Sequence, residues 1–233
     1  MARLLVHVEG ETEETFVNHI LSGHLVAHGY ETVGARLLGN ARQRFRRGGI
    51  RSWIAARKDI VNHLKGDRGC IATTMVDYYG LPASGDKAWP GRAQTASLPT
   101  AEKATRVEQA LLSDINVEMG GDYSSRFLPF VVMHEFESLL FSDCAAFARV
   151  VGHANLERPL QAIREQFSTP EEIDDSPITA PSKRVEALIP GYEKPLLGVL
   201  AALEIGLEKI RQACPHFGRW IAKLEALGEA TGP

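Results

Sequence analysis

The apolar positions of this chain change period as they go. Arg3–Val8 is a short apolar run of buried-strand type. Phe16, Val17, Ile20, Leu21 and Leu25 then recur at helical spacing, with Thr12 placed to cap, Glu13 and Glu14 in the first turn, and Gly29 as the stop. Thr32–Leu38 is a second strand. A basic loop from Arg42 to Arg47 closes on Gly48-Gly49, and Ile50, Trp53, Ile54, Arg57, Val61 and Leu64 mark a second amphipathic helix. Cys70–Val76 is a third strand that ends in Asp77. A long aperiodic stretch from Gly80 to Pro99 precedes a helix that Thr100 is placed to cap and that runs to about Met119, and connections of that length are often functional. Phe127–Met133 is a fourth strand, followed at once by His134-Glu135-Phe136-Glu137.

Strands alternating with helices predict an α/β fold with a mostly parallel four-stranded sheet flanked by helices. After about residue 142 the strand signals stop. Ala145–Val151, Leu156–Phe167, Arg184–Leu188, Leu196–Ala213 and Phe217–Leu227 all have helical patterns, and the Pro-rich, acidic Ser168–Pro181 is a loop. The expected division is an α/β domain over 1–141 and a helical C-terminal region over 142–233. No repeat of 20–50 residues is present, which argues against a solenoid.

Composition narrows the partners. Apolar residues are 44% of the 233, enough for a sizeable core and too many for a disordered chain. The net charge of −3 supplies no general attraction for nucleic acid, so any such binding needs a local basic patch or a bound metal. Cys70, Cys144 and Cys214 are sparse and unpaired in pattern, which predicts a reducing compartment, and the cytoplasm is the expected location. No apolar stretch is long enough to span a membrane, and neither a signal peptide nor a membrane partner is expected.

In an open parallel sheet ligands bind beyond the carboxyl ends of the strands. Acidic residues fall at three such ends: Glu9, Asp77, and the pair Glu135 and Glu137. Carboxylates converging on one edge repel one another unless a cation joins them, and Mg²⁺ or Mn²⁺ prefers oxygen ligands. Each acid alone is equally at home as a helix cap.

The run Val8-Glu9-Gly10-Glu11-Thr12-Glu13-Glu14 after an apolar strand resembles the first motif of Toprim domains, most closely the variant in OLD-type nucleases and related defence proteins. In that fold a glutamate follows the first strand and an Asp-x-Asp pair follows the third. Glu9 matches the glutamate and Asp77 the first aspartate, while Tyr79 stands in place of the second. Glu135 or Glu137 is the candidate for the missing ligand. His134–Phe141 resembles a Phe-Glu helix motif of small Toprim-like proteins in bacterial defence loci. Ser182-Lys183-Arg184 and Cys214-Pro215-His216-Phe217 complete a likeness to an uncharacterised bacterial family commonly encoded beside a partner ATPase. The Toprim likeness covers roughly 3–141, and the narrower one nearly the whole chain.

Other candidates carry two readings each. Arg42, Arg44, Arg46, Arg47 and Arg51 form either a phosphate-holding cluster, with Phe45 and Trp53 stacking on a base, or a solvated loop with Trp53 in the core. Lys103 and Arg106 are more weakly placed cations. Trp89 marks either an exposed lid or an anchor that pins the long loop. Ser182, Lys183 and Arg184 open a helix and suit a phosphate, or are only a cap with surface charges. His134 is a proton carrier, a phosphate contact or a structural group. His7 is expected as a satisfied core histidine, and His216 lacks zinc-ligand spacing. No phosphate-binding GxxxxGK[ST] loop and no GxSxG elbow occurs.

The leading expectation is a Mg²⁺- or Mn²⁺-dependent phosphodiesterase, a nuclease acting on DNA or RNA with an ATPase partner. Glu9 and Asp77 would hold the ion, Glu13 would orient water or a second ion, and Arg44, Arg46 and Arg47 would steer phosphate. A second class is a regulatory adaptor that keeps the fold without the chemistry, docking through Leu196–Leu200. A third is an enzyme acting on a small nucleotide. The patterns leave the oligomeric state open.

Overall fold

The structure is a computed structural model, and it describes residues 2–38, 52–173 and 179–231. The chain forms two compact units, Met1–Val131 with Lys223–Pro233, and Val132–Ala222.

The first unit is an α/β layer structure. β1 (Arg3–Val8) leads into α1 (Glu11–Phe16), a π-helical turn (Val17–Leu21) and α2 (Ser22–Ala27), then β2 (Thr32–Leu37). α3 (Trp53–Gly66), β3 (Cys70–Asp77), α4 (Thr100–Met119), β4 (Phe127–Leu128) and β5 (Val131–Val132) follow. The sheet order is β2-β1-β3-β4, with β5 also pairing with β3. β1 runs parallel to β2 and to β3, and β3 parallel to β4. All eight residues of β3 are buried, as expected for a central strand covered on both faces.

Helix faces account for the covering layers. α4 buries Ala104, Val107, Leu111 and Ile115, one stripe at helical spacing. α3 buries Trp53, Ala56, Ile60, Val61 and Leu64, and Ser52 caps it by accepting from the Ala55 N–H. Trp53 is therefore a core residue, its indole donating to Asp114 of α4 at 2.7 Å. Trp89 is buried against it with ring centroids 5.1 Å apart, so the long loop is pinned at this point.

Two expectations are corrected here. The first helix starts at Glu11 with Gly10 as its N-cap, and Thr12 lies buried within it. The single strand expected over Phe127–Met133 is two short strands, because Pro129 has no N–H to give a ladder. Thr74 closes the gap: its hydroxyl donates to the Phe130 carbonyl at 2.8 Å and accepts from the Phe130 N–H at 2.9 Å. The buried backbone groups at the break are thereby satisfied.

His7, in the middle of β1, is fully buried, and among the described residues neither ring nitrogen has a hydrogen-bond partner. It is a core histidine, but not the satisfied one expected. Burial first, then His63 and Arg36, push its pKa down to about 3. The folded value lies below the unfolded one near 6.5, so the stabilising effect of neutral His7 is present above that value and is lost as pH falls. Stability should drop by about 1.4 kcal/mol per pH unit below pH 6.5 from this group. Thermal melts between pH 7 and pH 5 check this, and His7→Leu should flatten the dependence.

The second unit is helical. It contains a 3₁₀ segment Phe136–Ser142, then α5 (Cys144–Val150), α6 (Glu157–Arg164), α7 (Pro181–Leu188), α8 (Val199–Ile205), α9 (Leu207–Ala213) and the start of α10 (Pro215–Thr231). The one helix expected over Leu196–Ala213 is broken between α8 and α9 at Gly206, whose φ of 82° suits glycine and stops a helix. Phe136, Phe141, Phe147, Phe217 and Ile221 are among its fully buried side chains. Glu171 is buried and accepts from the His216 and Phe217 N–H groups at 2.9 and 2.8 Å, capping the first turn of α10 from outside the helix. The three cysteines are free and buried, and burial raises each thiol. Among the described residues no helix is long and apolar enough to cross a membrane.

The last turns of α10 pack on α2 in the first unit. Tyr30 donates to the Leu224 carbonyl at 2.9 Å. Gly228 meets the turn after α2 so closely that a Cβ there would lie 2.4 Å from the His28 carbonyl oxygen and 2.6 Å from the Tyr30 ring. Gly228→Ala should therefore destabilise the protein by about 1–3 kcal/mol, read from denaturant melts. An exposed helical glycine changed to alanine would instead stabilise.

Candidate functional site: a carboxylate edge

The sheet order places β1 between β2 and β3, so the chain winds outward to one side and then returns to the other. That reversal makes a crevice beyond the carboxyl ends of β1 and β3. Val8 stands opposite Met75, so Glu9 leaves β1 level with Val76, one residue before Asp77. Asp77 closes β3 and is 8% exposed. A 3₁₀ turn, Tyr78–Gly80, follows it. The Glu9 carboxylate lies over this turn: a Cβ on Gly80 would sit 3.3 and 3.4 Å from its two oxygens.

Glu13 joins the same edge. It occupies the third position of α1 and is 3% exposed, and a Cβ on Gly10 would sit 3.1 Å from its Oε2. Its carboxylate is therefore close to Gly10, the N-cap residue of α1. The structure thus brings Glu9, Glu13 and Asp77 to one end of one unit. Tyr79, where the Toprim pattern has its second aspartate, is 40% exposed.

A cation that the residue pattern did not single out as a site packs on Tyr78, the residue after Asp77. The Arg92 guanidinium lies 4.1 Å from the ring centroid of Tyr78 and donates to the Tyr78 hydroxyl at 2.9 Å. Thr95 completes the arrangement, its Oγ1 2.7 Å from that hydroxyl. Lys103 lies 5.8 Å from the same ring centroid. The only sequence signal for these was two cations in and after a long loop. Arg42, Arg44, Arg46, Arg47 and Arg51 lie outside the described residues, as does Phe45.

The remaining candidates belong to the second unit, where each described contact is structural. Glu135 accepts from the Ser182 N–H at 2.9 Å, supplying the anion that the N-terminus of α7 favours. Ser182 is not the N-cap, which is Ala180. Lys183 pairs with Glu186 at 2.7 Å, and Arg184 donates to the Thr179 carbonyl at 2.8 Å. Glu137 is fully buried and pairs with Lys194 at 3.0 Å. Burial raises its carboxyl and Lys194 opposes that shift. His134 is buried beside them in sequence.

Two hard carboxylates at adjacent parallel strand ends suit a cation that keeps part of its water shell, as Mg²⁺ does. Fold and edge together define an open, parallel α/β protein with an acidic crevice at its switch point. The chain belongs to the family described as Domain of unknown function (DUF4276), whose model matches residues 8–225. No curated protein and no solved structure matches the chain.

The Glu137–Lys194 pair gives a direct test of a structural role. Lys194→Met strands a buried carboxylate and should lower stability by about 2 kcal/mol, moderated because the ammonium keeps some water. The double variant Lys194→Met/Glu137→Leu should recover most of that loss in the same denaturant melts.

Proposed function

We propose that this protein is a Mg²⁺- or Mn²⁺-dependent phosphodiesterase of Toprim-like type, a nuclease of a bacterial defence system that works in the cytoplasm with an ATPase partner. The observation that carries the reading is the convergence of Glu9 and Asp77 at the β1–β3 switch point, with the Glu9 carboxylate over the turn that follows Asp77. The motif likeness around Glu9 and Asp77 supports the same assignment.

Glu9 and Asp77 would hold the ion through oxygen. Once bound, such an ion activates water and offsets charge that develops on a phosphoryl group. The protein's own part is positional. Glu13, beside the turn that presents Glu9, is placed to orient water. Gly80 leaves room for the Glu9 carboxylate, which a side chain there would displace. Arg42, Arg44, Arg46, Arg47 and Arg51 are assigned to the phosphate backbone from their sequence position. With a net charge of −3, binding of nucleic acid by the isolated chain should be weak and fall steeply with salt. The partner would supply the missing affinity.

A second reading, an adaptor without chemistry, is favoured by two observations. Tyr79 replaces the second aspartate, and Leu196, Leu200 and Leu203 are 56%, 45% and 45% exposed on one stripe of the second unit. Calorimetric titration with Mn²⁺ decides between them, alongside cleavage assays on single- and double-stranded DNA and on RNA. A saturable event lost in Glu9→Ala and in Asp77→Ala, with cleavage lost in parallel, is the expected result. Binding without polymer cleavage would move the substrate to a small nucleotide or make the partner obligatory. No binding at millimolar Mn²⁺ would overturn the metal-dependent reading in favour of the adaptor.

A further inference from the structure

A different cluster lies on the first unit, where α2 meets the last turns of α10. His24 and His28 are one helical turn apart on α2 and its C-cap, and their ring centroids are 4.7 Å apart. Both face Glu225: His24 Nε2 is 2.6 Å from Glu225 Oε1, and His28 Nε2 is 3.9 Å from the same oxygen. Among the described residues, this is the one group of three potential ligands whose donor atoms all lie within 4.8 Å of one another. The other nitrogen of His28, Nδ1, is 2.8 Å from Glu229 Oε1.

We propose that His24, His28 and Glu225 form a binding site for a borderline transition-metal cation, Zn²⁺ in the first instance, which clasps the C-terminal helix to α2. Three features carry this. Two histidines at i and i+4 present nitrogens on one helix face, and a carboxylate from a second helix completes a set of the kind zinc takes. With metal–ligand distances near 2.0–2.1 Å, neighbouring ligand atoms of a tetrahedral site lie about 3.3 Å apart. The two Nε2–Oε1 distances, 2.6 and 3.9 Å, bracket that value, so side-chain rotations suffice to admit an ion. Glu229 accepts the Nδ1 proton of His28, which directs the Nε2 lone pair toward Glu225; a carboxylate behind a ligating histidine is the usual orienting partner. The three side chains are 28%, 32% and 13% exposed, so water and a metal ion reach them.

The site is separate in chemistry from the carboxylate edge. Two imidazoles select a softer ion, whereas Mg²⁺ prefers oxygen donors and its water shell. The inference therefore stands or falls independently of the proposed phosphodiesterase.

Titration of the chelator-treated full chain with Zn²⁺ tests it, followed by calorimetry and by the thermal midpoint. One Zn²⁺ per chain should bind in the micromolar range or tighter and raise the midpoint, because ligand bound to the folded state stabilises it. His24→Ala and Glu225→Gln should each weaken that event by at least about tenfold. Glu225→Gln preserves the shape and an acceptor for His24, so its result stands if His24→Ala folds poorly. Asp77→Asn should leave the event intact and remove any weaker binding at the carboxylate edge. Absence of a one-to-one event at micromolar Zn²⁺, or its survival unweakened in Glu225→Gln, would overturn the proposal.

Discussion

The two-sided parallel pairing of β1 is the constraint from which the rest of the first unit follows. A strand bonded to β2 on one side and β3 on the other has no free edge, and past the exposed Arg3 its side chains are all apolar or neutral. That accounts for Leu4, Val6 and Val8 in the core and for a histidine that must stay uncharged there. It also fixes where the strand's last backbone bonds end. Glu9 is the first residue past the ladder, and β3 ends at Asp77 beside it. Backbone register brings two carboxylates to one sheet edge, although they are 68 positions apart in the chain and neither attracts the other.

Acids elsewhere show what that arrangement is not. Glu171 caps α10 from outside the helix, Glu135 supplies the anion at the start of α7, and Glu137 pairs with a lysine in the core of its unit. Each is close to a positive charge or to helix N–H groups that explain its burial without any ligand. Glu13 lies in the first turn of α1, where the helix dipole favours an anion. Glu9 and Asp77 stand where two adjacent parallel strands stop at a switch point, Glu9 just before the N-cap of α1 and Asp77 just before the turn Tyr78–Gly80. Their place at adjacent strand ends is what the proposed metal site rests on.

Much of the fold was legible because local period and local chemistry agreed. The helix to Met119 was legible, although its N-cap is Pro99 and not Thr100, and Gly29 ends the first helical run with a φ of 98°. The failures have local or long-range causes. Pro129 splits an apolar run that reads as continuous strand, since hydrophobicity does not report a missing N–H. Gly206 breaks a run of good helical residues in the same way. Glu9 and Asp77 were readable as strand ends, but the partners of Glu135 and Glu137 lie 47 and 57 residues away and leave no periodic trace. Arg92 gave no signal because stacking on Tyr78 depends on how an aperiodic loop folds back.

The C-terminal helix extends this logic. Its last turns belong to the first unit, 194 residues beyond the tyrosine whose hydroxyl they receive. Such a contact closes a very long loop, and the entropic cost of closure grows only slowly with length. Tight local fit must then hold it, and the closeness of Gly228 to the turn after α2 supplies that fit. The paired histidines and glutamates occupy the same seam, one helical turn further back. The α2 helix is thus held between β2, where Ser22 donates to the Val33 carbonyl, and the end of the chain. A change that loosens the seam therefore loosens the helical layer over β2.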